Sequence, residues 1–220
     1  MTIQQRLIGS LLGVLAWSAV AADMPYAHGK LPRLGSAIAL IYDEQTQQPL
    51  YRKHENEVTP IASITKLMTA MVILDARLPL DEPITITRED RDRLKWTKSR
   101  LREGMSLRRG DLLALALMAS ENRAASALAR TFPGGTPVMV ALMNAKAREL
   151  GMNNTRFAGP VGLQSENVST AHDLVKMVRA AETYPEIRRA TTRSSLTVQV
   201  GTQAMRFGNT NPLVRSRNWE

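Results

Sequence analysis

The sequence predicts an α+β fold in which one antiparallel sheet, assembled from segments distant in the chain, accompanies a mostly helical middle. Two observations carry this reading: apolar runs of strand length lie towards both ends, and between them apolar residues recur at helical spacing in several bracketed segments. A third says how such a fold is held together. The 220 residues contain no cysteine and 44% of them are hydrophobic, so stability rests on a buried core and not on disulfides.

The first residues read as an export signal. Met1 to Arg6 is short and positive, Leu7 to Val20 is apolar but too short to cross a bilayer comfortably, and Ala19, Val20 and Ala21 supply the small residues of a cleavage site. Residues 1–21 are therefore expected to be removed, leaving a chain that begins at or near Ala22. No later stretch has the length and apolarity of a transmembrane segment, so none is expected in the mature chain. Residues 22–35 hold Pro and Gly and read as a linker, which leaves 36–220 as one domain.

Within that domain, Ser36 to Tyr42 has the composition of a buried strand, Asp43 to Gln48 turns the chain, and Pro49 to Lys53 returns as the second arm of a hairpin. A helix follows Thr59-Pro60-Ile61-Ala62, with Ile64, Leu67, Met68, Met71, Val72 and Leu74 on its apolar side and Pro79 beyond its end. Thr87 to Arg102 is polar and shows no sustained period, so it reads as loop with short elements. Asp111 is placed to cap a helix over Leu112 to Met118 that is apolar nearly all round, hence buried. Ser120-Glu121-Asn122 interrupts it before a second helical run, Arg123 to Thr131. Thr136 as cap, Pro137 in the first turn and Gly151 past the end bracket a further helix. Ser169 is expected to cap the next, through Leu174, Val175 and Val178; Pro185 opens a short one. Ser195 to Val200 alternates as a strand that turns at Gly201 into Gln203 to Phe207.

Lys and Arg outnumber Asp and Glu by 29 to 20, a formal charge of +9. In an exported chain this favours anionic envelope polymers or lipid headgroups, and no nucleic-acid partner is expected. The basic residues are scattered among acids, so the charge fits a solvated face equally well.

Chemistry concentrates at Ser63-Ile64-Thr65-Lys66. Residues three apart on a helix share a face, so this spacing sets a hydroxyl beside an amine. A serine hydroxyl is a weak nucleophile, and an amine whose proton affinity is lowered by burial or by nearby positive charge supplies the base it needs. Taken alone, the spacing also fits a helix cap followed by an exposed lysine.

The longer segment Pro60-Ile61-Ala62-Ser63-Ile64-Thr65-Lys66-Leu67-Met68-Thr69 resembles the active-site segment of low-molecular-mass penicillin-binding proteins, and Ser120-Glu121-Asn122 resembles their second motif, Ser-x-Asn. Gly151-Met152-Asn153-Asn154-Thr155, Gly159-Pro160-Val161-Gly162-Leu163, Ser169-Thr170-Ala171-His172-Asp173-Leu174 and Asn209-Thr210-Asn211-Pro212-Leu213 match in the same order. The resemblance is strongest to the D-alanyl-D-alanine endopeptidases among the S11 serine peptidases. It implies a penicillin-binding, β-lactamase-like transpeptidase fold, a periplasmic location, and hydrolysis of D,D-peptide bonds in peptidoglycan crosslinks. It implies Ser63 as nucleophile, Lys66 as its base, Ser120 as proton relay and Asn122 as the residue that holds the substrate amide. The Ser63 N–H, at a helix start, is expected to be one oxyanion donor. Peptidoglycan peptides are the implied partners and β-lactams the implied covalent inhibitors; no metal or cofactor is called for.

One departure qualifies this. The family's third motif, Lys-Thr-Gly or Lys-Ser-Gly on a sheet strand, occurs nowhere in the sequence. The expectation is an incomplete catalytic domain without its C-terminal strands, and weak or absent catalysis. The competing reading is then a catalytically impaired pseudoenzyme or noncatalytic envelope protein that binds peptidoglycan. A β-lactamase would need a deacylation base; Glu166 is the one acid in a suitable loop, but its surroundings, Leu163 to Val168, resemble the peptidase family and not a β-lactamase. A metallopeptidase is disfavoured because His28, His54 and His172 are far apart in the sequence.

Overall fold

The computed structural model describes residues 33–216. The expected signal peptide and nearly all of the expected linker lie outside the described residues.

The centre of the fold is helix α1, Thr65–Asp75, of which eight residues are buried, from Thr65 to Ile73. Its apolar residues point in every direction because four other helices pack around it: α2 (Arg109–Met118), α3 (Asn122–Arg130), α4 (Gly135–Glu149) and α5 (Ala171–Glu182). A short α6, Pro185–Thr192, opens on its proline as the sequence predicts and rests on α2 and α5. Methionine is a prominent core residue: seven of the eleven, Met68, Met71, Met118, Met139, Met143, Met152 and Met177, are at most 1% exposed. An unbranched thioether fills irregular gaps between helices that cross at different angles.

The strands differ from the expectation. Strands β1 (Ala39–Asp43) and β2 (Gln48–Lys53) form the expected antiparallel hairpin, and β7 (Ser195–Val200) and β8 (Gln203–Gly208) form a second. These do not join into one sheet among the described residues. Four separate two-stranded pairs are present, the others being β3 (Thr59–Pro60) with β6 (Val168–Ser169), and β4 (Pro83–Thr85) with β5 (Ser106–Arg108). The terminal hairpins rest on different supports, β1 on α5 and β7 on β5 and α2. For the same reason β1 is half-buried, not buried: it has one neighbour strand and one covered face, and Ile41 is 45% exposed.

Three expected caps shift by one or more residues. Asp111 lies inside the first turn of α2, where its carboxylate accepts from Arg108 Nε at 3.1 Å, while Arg108 is the capping position. Gly134, at φ +79°, takes the cap of α4 in place of Thr136; a left-handed entry suits glycine, and it puts Thr136 and Pro137 in the first turn. Thr170, not Ser169, caps α5, its hydroxyl accepting from Asp173 N at 3.1 Å; Ser169 is held in β6. The segment Thr87 to Arg102 is loop, as expected, with one 3₁₀ turn at Arg88–Asp90. Its base is tied down by Asp90, whose buried carboxylate takes Arg130 Nε and Nη2 at 3.0 Å each and Thr87 N at 2.8 Å.

Candidate active site

Ser63 lies in a 3₁₀ turn, Ala62–Ile64, that runs directly into α1, so the helix proper starts two residues later than a nucleophile at its first turn would require. The turn is entered through a left-handed residue, Ala62 at φ +45°. Such a conformation is uncommon without glycine and persists only where surroundings enforce it. Here the enforcement is visible. Ile61 N donates to Asn167 O at 2.9 Å, and Asn167 Nδ2 donates to Thr65 Oγ1 at 3.0 Å, so one residue grips the turn on both sides of the serine.

Asn167 is wholly buried, and its amide is fully used. Oδ1 accepts from Ala158 N at 2.7 Å and Gly159 N at 3.0 Å, and Nδ2 also donates to Gly159 O at 2.8 Å. Thr69 of α1 adds a bond to Pro160 O at 2.6 Å. The Gly159–Leu163 segment is thereby clamped against the start of α1.

Lys66 follows one turn after Ser63, and its ammonium donates to Ser63 Oγ at 2.9 Å and to Ser120 Oγ at 3.3 Å. Three of the four residues expected to share a site, Ser63, Lys66 and Ser120, are thus in contact. Ser63 is exposed, whereas Lys66 is 2% exposed because it belongs to the central helix. Burial is the main effect on its pKa, pulling it down from 10.5 to about 8 against a smaller upward pull from Glu121. No carboxylate pairs with it among the described residues. A buried amine with hydroxyls for neighbours is a base poised near neutral pH.

Ser120 is itself left-handed, at φ +52°, in the break between α2 and α3. That break is fastened from two sides. Glu121 caps α3, accepting from Arg123 N at 3.2 Å, and Met118 O, at the end of α2, takes Thr210 N at 3.0 Å. Asn209 is held in turn by bonds from its Nδ2 to Thr191 O and Arg193 O. The Asn209-Thr210 pair therefore sets the level at which α2 stops and Ser120 emerges.

Asn122 opens α3, and its Nδ2 donates to Thr97 Oγ1 at 2.9 Å. Among the described residues it makes no hydrogen bond to Ser63, Lys66 or Ser120; its bond goes to the Thr87 to Arg102 loop. Sequence reasoning missed Asn167 and Thr97 as parts of this architecture; the matching segments pointed at the first region without assigning the residue. Glu166 is exposed and bonds to the adjacent Ser165 hydroxyl at 3.2 Å, facing no part of the Ser63 cluster in its hydrogen bonds. His54 and His172 are exposed; His28 lies outside the described residues.

Comparison with known proteins agrees with this geometry. Residues 26–220 match the Peptidase S11 family model, described as D-alanyl-D-alanine carboxypeptidase. The D-alanyl-D-alanine endopeptidase of Escherichia coli is 47% identical over 91% of this chain and 66% of its own length, and that of Pseudomonas aeruginosa is 44% identical over 97% and 70%. The chain thus spans about two thirds of the length of these curated relatives. Among solved structures, the D-alanyl-D-alanine carboxypeptidase from Mycobacterium tuberculosis superposes with a TM-score of 0.77 at 30% identity, covering 88% of this chain and 74% of that one. A Streptomyces DD-transpeptidase gives 0.79 at 26% identity, over 86% and 79%. The α+β architecture is accordingly that of the penicillin-binding D,D-peptidases, and the chain belongs to the Peptidase S11 family.

Proposed function

We propose that this chain is the catalytic part of a periplasmic serine D,D-peptidase that hydrolyses D-alanyl-D-alanine peptide bonds in peptidoglycan through a Ser63 acyl-enzyme. One observation supports it above the rest: Lys66 Nζ, buried and with its pKa near 8, lies 2.9 Å from Ser63 Oγ and 3.3 Å from Ser120 Oγ. The names of the relatives, D-alanyl-D-alanine endopeptidase and carboxypeptidase, agree with the substrate class. Residues 1–21 act as the export signal in this reading, and 36–220 belong to the catalytic domain.

The chemistry follows from the contacts. Neutral Lys66 takes the Ser63 hydroxyl proton as Oγ attacks the carbonyl carbon of the penultimate D-residue. Charge developing on the carbonyl oxygen is met by the Ser63 N–H at the turn, and each donor of that kind is typically worth on the order of 100-fold or more. The C–N bond breaks, and the leaving amine receives the proton from Lys66 by way of the Ser120 hydroxyl. Water then attacks the ester as Lys66 takes its proton; the C–O bond to Ser63 breaks, and Lys66 returns the proton to Ser63 Oγ as the acid leaves. A β-lactam presents the same carbonyl but keeps its leaving amine tethered, so the adduct persists.

Covalent labelling of the chain from Ala22 to Glu220 with a fluorescent penicillin tests this. Labelling is expected in the native sequence and lost in Ser63→Ala and Lys66→Ala, with circular dichroism confirming that each is folded. A folded, unlabelled native chain would overturn the enzymatic reading; salt-sensitive binding to sacculi that survives Ser63→Ala would then identify a noncatalytic envelope protein. Rapid release of the hydrolysed penicillin would instead mark a β-lactamase.

A further inference from the structure

We propose that Asp92 and Thr97 are positioning residues that fix the orientation of the Asn122 amide towards the substrate peptide. This rests on the acyl-enzyme reading of the site. The Asp92 carboxylate accepts from the backbone N–H groups of Leu94 at 2.8 Å, Lys95 at 2.9 Å and Thr97 at 3.0 Å, and from the Thr97 hydroxyl at 2.7 Å. Partial burial alone would raise its pKa, but these four bonds outweigh that and bring it to about 2. Asp92 is the hub around which the loop turns, including Trp96, at φ +53°.

A carboxylate ionised above pH 2 has no proton to give. The Thr97 hydroxyl therefore donates along the 2.7 Å contact with Asp92, and its one hydrogen is spent there. Towards Asn122, Thr97 Oγ1 acts only as an acceptor. The Asn122 atom 2.9 Å away must then be the amide nitrogen, because an amide oxygen in that position would face another oxygen with no hydrogen between them. Without this constraint the two ends of an asparagine amide exchange by a half-turn of the side chain. With it, Asn122 keeps one free N–H and one free oxygen in a fixed plane, which match the C=O and the N–H of a peptide group.

Thr97 and Arg123 share the lining of a cavity of about 410 Å³ with Trp96, and Asn122 immediately precedes Arg123 at the start of α3. The loop therefore acts on the substrate through Asn122, not by direct chemistry. Its effect is confined to substrates that offer an amide in that position.

That restriction provides the test. Acylation rates are measured with two penams, one carrying an acylamino side chain and one carrying a bare amine, on the native chain and on Thr97→Val and Thr97→Ser. The variant Thr97→Val is expected to slow acylation by the acylamino penam about five- to tenfold, the loss of one hydrogen bond's orienting effect. It should leave the bare-amine penam unaffected and the thermal midpoint unchanged. Restoring a hydroxyl with Thr97→Ser should recover the rate. Asp92→Asn, which can donate to Thr97 and so frees the amide to turn, should reproduce the selective loss. Equal slowing with both penams, an unaltered rate, or failure of Thr97→Ser to recover would overturn the proposal. A native chain that neither penam acylates would overturn the acyl-enzyme reading and the inference with it, an outcome distinct from those three.

Discussion

Gly162 lies directly beneath the peptide carbonyl of Ala62: a Cβ on residue 162 would come 1.9 Å from Ala62 O and 2.4 Å from its carbonyl carbon. Both residues are left-handed, at φ +84° and +45°. The nucleophile turn is therefore moulded against a backbone position where any side chain is excluded. Gly162→Ala is expected to displace Ser63 from Lys66 and to reduce penicillin acylation by about 100-fold, the size of effect that a misplacement of 1 Å produces. Native acylation kinetics in this variant would contradict the close packing.

Lys66 makes the reaction pH-dependent in a defined direction. In the proposed mechanism its neutral form is the base, and its pKa is held down to about 8, chiefly by burial. The acylation rate is expected to rise about tenfold per pH unit below 8 and to level off above it. A rate that falls from pH 6 to pH 8 would exclude an amine base.

Stability should move with the same group. Lys66 has a lower pKa in the folded chain, about 8, than the 10.5 of an exposed lysine, so the unfolded state binds more protons between these values and stability rises with pH across that window. Below pH 8 the buried ammonium costs about 3 kcal/mol. Lys66→Met should abolish acylation yet melt at a higher temperature than the native chain at pH 7, with the advantage shrinking towards pH 10. Scanning calorimetry at several pH values measures it.

Asn167 bears on stability in the opposite sense. Replacement by Ala removes four side-chain hydrogen bonds and strands the N–H groups of Ala158 and of buried Gly159. A loss of about 2–4 kcal/mol is expected in urea denaturation, with acylation impaired even where the fold survives.

Arg130 and Asp90 form a two-pronged pair in which the carboxylate is fully covered. Arg130→Ala leaves that charge without its partner and is expected to destabilise by about 3–5 kcal/mol. Asp90→Asn together with Arg130→Gln, which removes both charges, should cost less than Arg130→Ala alone.

The sequence showed the site more clearly than it showed the sheet. Ser63 and Lys66 are one helical turn apart, so their contact is local and legible, and Ser120 came with them through its resemblance to a known motif. The helices were legible because α1 and α2 are long apolar runs with polar breaks. What escaped was long-range or conformational. The Ala62, Trp96 and Ser120 backbones are left-handed without glycine, so nothing in residue type announces them. The clamp between Asn167 and Thr65 spans a hundred residues, and the bond from Asn122 to Thr97 joins a helix to a loop without a period. The caps of α4 and α5 slid by one or two positions because Gly134 and Thr170 compete with equally plausible neighbours. Separate hairpins stand where one sheet was expected because pairing between distant strands is long-range and leaves no mark in the local pattern.

The thioethers at the centre of the fold tie its folding to its oxidation chemistry. Met68, Met71, Met118, Met139, Met143, Met152 and Met177 are shut off from solvent, and no cysteine is present to react ahead of them. An oxidant meeting the intact molecule finds these sulfurs unreachable, but each excursion to an open state offers them up. A sulfoxide is polar and chiral, and it does not fit back into the space a thioether filled. Every oxidised opening is thus a one-way exit unless a reductase reverses it, and the lifetime of the molecule under oxidising conditions becomes a count of its openings.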